Sequence, residues 1–222
     1  TDSGLYLPEN WPCLNKREIL DFQNCSYSEI VYRTVLPFMG DSIPKKIFKK
    51  IIDKSYKKFR HEEIAPLFEI EKDLWMMELF HGPSLAFKDF ALQLLGGVFD
   101  YLLKKNSERI TILGATSGDT GSAAIEACKD KDMMDIFILH PHKRITKIQR
   151  KQMTTVDSPN VFNIAIKGSF DDCQDLVKKL FSDTDLGRQK KLSSINSINW
   201  ARIIGQIPYY FYATAKLNLL DR

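Results

Sequence analysis

The chain has 222 residues, 44% of them hydrophobic, 27% charged and 11% aromatic, with 11 glycines and 9 prolines. This is an ordinary globular balance on a length that can bury a sizeable core, so disordered tails, collagen-like chains and small disulfide scaffolds are excluded. The 32 basic residues exceed the 28 acidic ones by four but are scattered in pairs such as Lys45-Lys46 and Lys57-Lys58, the pattern of solvated helix faces, and no nucleic-acid partner is expected.

Residues 15–60 read as helical, with Pro37, Gly40 and Pro44 as punctuation and Ile47, Phe48, Ile51 and Ile52 at helical spacing. Residues 67–79 change to short apolar runs broken by Asp and Lys, as in a small hairpin or edge strands. A domain seam is expected near residue 80, dividing the chain into a mostly helical 1–80 and an α/β 81–222. Residues 90–105 are apolar on nearly every face and predict a buried helix that ends at Lys104-Lys105, where cations suit the helix dipole. Strand and helix patterns then alternate: strands at 109–113, 135–140 and 161–166, helices at 120–129, 145–153 and 170–181, with a loop over 114–121. Three β-α units in succession predict a three-layer α/β domain with a parallel sheet and right-handed crossovers. Residues 193–220 read as a polar loop followed by one long, largely buried helix.

The cysteines at 13, 25, 128 and 173 include no C-x-x-C pair and no histidine at a metal-ligand offset, so no metal site and a reducing compartment are expected. His81, His140 and His142 form no metal pair either. No apolar run approaches the roughly 20 residues of a membrane span, and no leader pattern opens the chain; a soluble, cytoplasmic protein without a membrane partner is expected. Thr1 in place of Met, and a terminal helical pattern that stops without a cap, predict truncation at both ends.

Three constellations carry chemistry. In His81-Gly82-Pro83-Ser84-Leu85-Ala86-Phe87-Lys88-Asp89-Phe90 a Gly-Pro turn feeds a lysine set between two aromatics at the mouth of an apolar helix. Burial disfavours an ammonium ion, so such a lysine is a Schiff-base candidate; the alternative is a lysine whose head simply reaches solvent. In Gly114-Ala115-Thr116-Ser117-Gly118-Asp119-Thr120-Gly121 a strand ends and a helix opens. Glycines, hydroxyls and helix-start N–H groups there suit a carboxylate or phosphate, while the plainer reading is an Asp119 or Thr120 helix cap. In Ser193-Ser194-Ile195-Asn196-Ser197-Ile198-Asn199-Trp200-Ala201-Arg202 good capping residues lead into a helix whose first turn presents Arg202. That arginine is either a fork for an anion or a member of a salt bridge.

Together these segments resemble the threonine synthases, pyridoxal-phosphate enzymes of the tryptophan-synthase-β-like fold type. The 81–89 segment resembles that family's cofactor-lysine motif, residues 116–121 its substrate-binding loop, and Asn196-Ser197-Ile198-Asn199 with Arg202 a third family segment. Asp2-Ser3-Gly4-Leu5-Tyr6-Leu7-Pro8 resembles the family's amino-terminal signature. The resemblance implies pyridoxal 5'-phosphate as cofactor, with Lys88 as its Schiff-base residue and Phe87 and Asp119 beside it. It implies O-phospho-L-homoserine as substrate, contacted by Ser84, Thr116, Ser117, Gly118, Asp119, Thr120, Gly121, Asn196, Ser197 and Arg202. Conversion with water to L-threonine and phosphate would follow, Lys88 also serving as base for the α-proton, in a monomer or homodimer. The family's Gly- and Asn-rich loop for the cofactor phosphate is absent from these 222 residues, so the chain reads as an amino-terminal half with an incomplete α/β domain, inactive by itself. Two other readings stay open: a phospho-lyase giving a 2-keto acid, ammonia and phosphate, and a non-catalytic fragment that binds anions or proteins.

Overall fold

The computed structural model describes residues 5–194 and 199–219. In chain order its elements are α1 (Lys16–Asp21), α2 (Tyr27–Val35), α3 (Lys45–Tyr56), β1 (Leu67–Glu71), β2 (Leu74–Met77), α4 (Asp89–Asn106), β3 (Ile110–Ala115) and α5 (Asp119–Cys128). There follow β4 (Met134–Pro141), α6 (Lys147–Thr154), β5 (Val161–Ile166), α7 (Phe170–Ser182), α8 (Thr184–Lys190), β6 (Leu192–Ser193), α9 (Trp200–Ile204) and α10 (Ile207–Lys216). The chain falls into two compact units, Thr1–Gly97 with Ser197–Arg222, and Val98–Asn196. The seam proposed near residue 80 follows the change in sequence period, whereas contacts group 81–97 with the helical unit.

In the helical unit, polar side chains cap the starts of α1 and α2. Asn15 accepts from the Glu18 N–H while the Glu18 carboxylate accepts from the Asn15 N–H, a reciprocal capping box. Ser26 caps α2 in the simpler way. The core is aromatic. The ring of Tyr27 meets those of Tyr56, Phe90 and Tyr212 edge-on at 5.1, 5.6 and 5.6 Å, and Phe90 also meets Phe59 and Tyr209. Each fully buried ring is worth roughly 1.5–3 kcal/mol in transfer from water. Because Phe90 belongs to the first turn of α4, this cluster fixes the helix start at which Lys88 lies. Tyr56 Oη reinforces it by donating to the Phe90 carbonyl at 2.9 Å.

β1 and β2 form the expected hairpin, with Phe68 opposite Met76. Alternation places Phe68, Leu74 and Met76 on one face, the register shifts at Ile70, and all four residues are exposed. The single long helix expected late in the chain is two: Gly205 closes α9, and Pro208, which has no N–H to offer an upstream carbonyl, opens α10.

In the second unit the sheet has the order β5-β4-β3-β6 with every pair parallel. Leu113 and Leu139, with Ala115 and Phe137, pack against Cys173, Val177 and Leu180 of α7. The alternate set, Ile112, Met134, Ile136 and Ile138, is at most 3% exposed and faces the side on which α5 lies against β4. Both faces are thus covered, as a parallel sheet requires, and the expected three-layer α/β architecture is present. The helix α8 and the two-residue strand β6 were outside the sequence reading, since two residues carry no periodicity.

Asn160 ties this unit together at the end of the sheet where the strands begin. Its buried amide donates to the carbonyls of Cys128, Lys131 and Met134 at 2.9, 3.2 and 2.7 Å, and its Oδ1 accepts from the Asp130 N–H and Ser158 Oγ. At about 1 kcal/mol net per bond, Asn160→Ala is expected to cost roughly 2–4 kcal/mol in urea unfolding; a loss under about 0.5 kcal/mol would disprove the role. Among the described residues no helix is long and apolar enough to cross a membrane.

Candidate active site

The lysine loop is built by a buried carboxyl group. Asp89, the first residue of α4, is wholly buried, and its two oxygens accept from the Ser84 N–H and Ser84 Oγ, both at 2.8 Å. The six residues 84–89 are thereby closed into a ring that carries Lys88 next to its anchor. Gly82 is required by close approach: a Cβ there would fall 2.5 Å from both Cβ and Oδ2 of Asp89. Leu85 takes a left-handed backbone, φ +61°, which turns the loop toward the helix, and the Lys88 carbonyl accepts the first helical bond from Leu92 at 3.0 Å.

Lys88 is half-buried, with Nζ 5.0 Å from the centroid of the exposed Phe87 ring. The expectation of a lysine held between two aromatics needs correction, because Phe90 points into the core and Phe87 alone supports Nζ. The structure also brings up a second cation. The Arg202 guanidinium lies 5.9 Å from the same Phe87 centroid, and Arg202 is 3% exposed. Two cations on one ring each gain on the order of 0.5–2 kcal/mol from its quadrupole.

Arg202 has no ion pair with the described residues, and its Nη1 is buried without a hydrogen-bond partner among them. Burial pulls its pKa below the ordinary arginine value, with Tyr209 acting in the opposite sense. A buried guanidinium left without an anion is costly, so a negatively charged ligand would be stabilised at this position. The salt-bridge alternative therefore has no support here, while the capping role falls to Asn199, whose side chain accepts from the Ala201 N–H at 2.9 Å. Asn196 and Ser197 lie outside the described residues.

The hydroxyl loop belongs to the second unit. Thr116 Oγ1 accepts from the N–H groups of Gly118 and Gly121 at 3.0 and 2.9 Å and donates to the Gly118 carbonyl at 3.2 Å. That uses the whole capacity of a hydroxyl group, so Thr116, like Ser84, spends its side chain shaping its loop. Neither Asp119 nor Thr120 caps α5, which corrects the plainer sequence reading. The cap position is Gly118, with φ +150° and no side-chain acceptor. The N–H groups of Ser117, Asp119 and Thr120 have no partner among the described residues, and Ser117 and Asp119 are exposed. Such N–H groups at the start of a ten-residue helix can hold a carboxylate or phosphate.

Three positions escaped the sequence reading. Asp89 was visible only as the neighbour of the lysine, and its bond to Ser84 needed the fold. Gln149, three residues after the α6 cap Thr146, looks like a capping-box residue, yet its side chain reaches Asp119. The third is His140, buried on β4 with Nδ1 unpartnered among the described residues. Burial pushes its pKa below the ordinary value, and His142 and Arg150 add to the shift. His140 thus takes up a proton less readily in the folded chain than in the unfolded one, even though a hydrogen bond with the Pro141 backbone acts the other way, so stability falls as pH drops through the ordinary histidine range. Urea unfolding at pH 7.5 and 5.5 should show a smaller acid loss in His140→Leu than in the parent; equal losses would rule His140 out.

A helical segment followed by a parallel three-layer α/β unit, with a latched lysine loop and an N–H-lined loop, defines a protein of the tryptophan-synthase-β-like fold class. The family described as the threonine synthase N terminus matches residues 1–56. The threonine synthase of Pseudomonas aeruginosa is 52% identical over 222 residues, which is 100% of this chain and 47% of that protein. The solved structure of PLP-bound threonine synthase from Brucella melitensis superimposes with a TM-score of 0.95 at 46% identity, covering 100% of this chain and 48% of that one. Yeast threonine synthase gives 0.92 at 39% identity, covering 97% and 45%. Along its whole length the chain is similar to threonine synthases, and it spans about half the length of the curated relatives it matches.

Proposed function

We propose that this chain forms the lysine-bearing half of a threonine synthase, which converts O-phospho-L-homoserine and water to L-threonine and phosphate. The observation that carries this reading is the pair of cations on one aromatic ring: a half-buried amine at a helix start and a buried guanidinium with no anion of its own. The first suits imine chemistry, the second a substrate phosphate.

The lysine loop fits pyridoxal 5'-phosphate, because it offers a primary amine on a latched backbone beside an exposed aromatic ring. Lys88 would hold the cofactor through Nζ, with Phe87 and Asp119 as neighbours. When bound, the cofactor supplies an electron sink for charge that develops at the substrate Cα. Lys88 takes the α-proton and returns it later in the cycle. Arg202 binds and orients the phosphate that departs, with Asn196 and Ser197 as further proposed contacts. The N–H groups of Ser117, Asp119 and Thr120 bind the substrate carboxylate, while Thr116, Gly118 and Gly121 give the loop its shape and Ser84 holds the lysine loop. We place the protein in the cytoplasm, as a monomer or homodimer.

Borohydride reduction of the full-length protein loaded with pyridoxal phosphate, followed by peptide mass mapping, tests the assignment. A single pyridoxyl adduct on Lys88, with threonine and phosphate released in equal amounts from phosphohomoserine, is the expected result. An adduct elsewhere or none would overturn it, and 2-oxobutyrate with ammonia in place of threonine would replace the synthase reading by the phospho-lyase one.

A further inference from the structure

Asp119 is the first residue of α5, one place after the cap position, where its carboxylate is drawn to the positive end of the helix and can fold back onto the free N–H groups there. Here it does not. Its Oδ1 accepts from Gln149 Nε2 on α6 at 2.7 Å. The Gln149 amide is fixed in that sense from the other side, since Thr146 Oγ1 donates to Gln149 Oε1 at 2.9 Å while accepting from the Gln149 N–H at 3.2 Å. The same amide fills the space beside Gly118: a Cβ at 118 would lie 2.6 Å from both Nε2 and Oε1, so the glycine with φ +150° and the glutamine fit as a pair.

We propose that Gln149 is a positioning residue for the 116–121 loop: it takes the Asp119 carboxylate away from the helix start, which leaves the N–H groups of Ser117, Asp119 and Thr120 open to the substrate's carboxylate. The inference rests on the reading that this loop receives that carboxylate. Without Gln149, Asp119 turns back, caps its own helix and occupies the site with its own negative charge. The loss is thus one of binding, caused by a competitor within the chain, and it disappears when the competitor is removed.

The test is a double-mutant cycle in the full-length holoenzyme, with Gln149→Ala, Asp119→Ala and the double variant. Gln149→Ala is expected to raise KM for phosphohomoserine about tenfold, the size of one helix cap, with kcat changed less than about threefold. In the Asp119→Ala background the same substitution should change KM by less than about twofold. Amide exchange of residues 117–121, read by mass spectrometry, should become slower in Gln149→Ala, because a self-capped helix start is better protected; a merely structural glutamine would give faster exchange. An unchanged KM in Gln149→Ala, an equal KM rise in both backgrounds, or faster exchange overturns the proposal. Absence of threonine formation in the parent protein would sink the synthase reading instead, and the exchange comparison would then decide the role of Gln149 alone.

Discussion

Alanine at position 88 is expected to remove turnover of the full-length protein while leaving its fold in place. Lys88 bears the only primary amine of the latched loop, and the proposed chemistry asks it both to hold the cofactor and to move the α-proton. Loss of a general base alone costs roughly 10²–10⁴-fold in kcat, and loss of the covalent anchor adds to that, so activity should drop below detection. Stability tells a different story. The side chain is half-buried and its described contact is the Phe87 ring at 5.0 Å, worth about 0.5–1 kcal/mol at an exposed site. Urea unfolding of Lys88→Ala should therefore stay within about 1 kcal/mol of the parent. Kinetics with phosphohomoserine and an unfolding curve, run on one preparation, separate the two effects; retained turnover would remove Lys88 from the proposed role.

The neighbouring Asp89→Ala should behave in the opposite way, with stability lost first. The substitution takes away both acceptors of Ser84 and leaves a void where a wholly buried side chain stood. Buried hydrogen bonds of this kind are worth about 1–3 kcal/mol each, so a destabilisation of roughly 2–4 kcal/mol is expected. Asp89→Asn keeps the shape and one acceptor, and should lose about half as much. Because the ring that carries Lys88 is opened, kcat should fall as well, in proportion to how far Nζ wanders. An Asp89→Ala variant as stable as the parent would show that the loop is held by something else.

Much of this arrangement could be read from the residues alone. The strands around Ile112, Ile136 and Ile164 are short apolar runs flanked by polar turns, and the helices start behind Asn15, Ser26, Thr146 and Ser169, side chains that supply a local acceptor. Such signals act within four residues and survive in any context. Other features depend on partners far along the chain. Arg202 left two readings open, an anion fork or a salt-bridge member, and only the packing of α9 shows it buried and without an ion pair among the described residues. Asp119 looked like a cap, and the residue that draws it away lies 30 positions later. The late helical segment divides for a local reason: Gly205 and Pro208 mark the break between α9 and α10, within a largely apolar stretch that by its pattern alone predicts one helix.

The hairpin of β1 and β2 has a practical consequence. Its ribbon presents Phe68, Ile70, Leu74 and Met76 to solvent in two adjacent strands, and both outer edges of a two-stranded ribbon carry unpaired backbone groups. A short, apolar, β-prone segment of that kind is the stretch through which copies of a chain stick to one another during expression and refolding. The concentration limit of this polypeptide and its behaviour in a refolding buffer are therefore expected to depend strongly on the eleven residues 67–77.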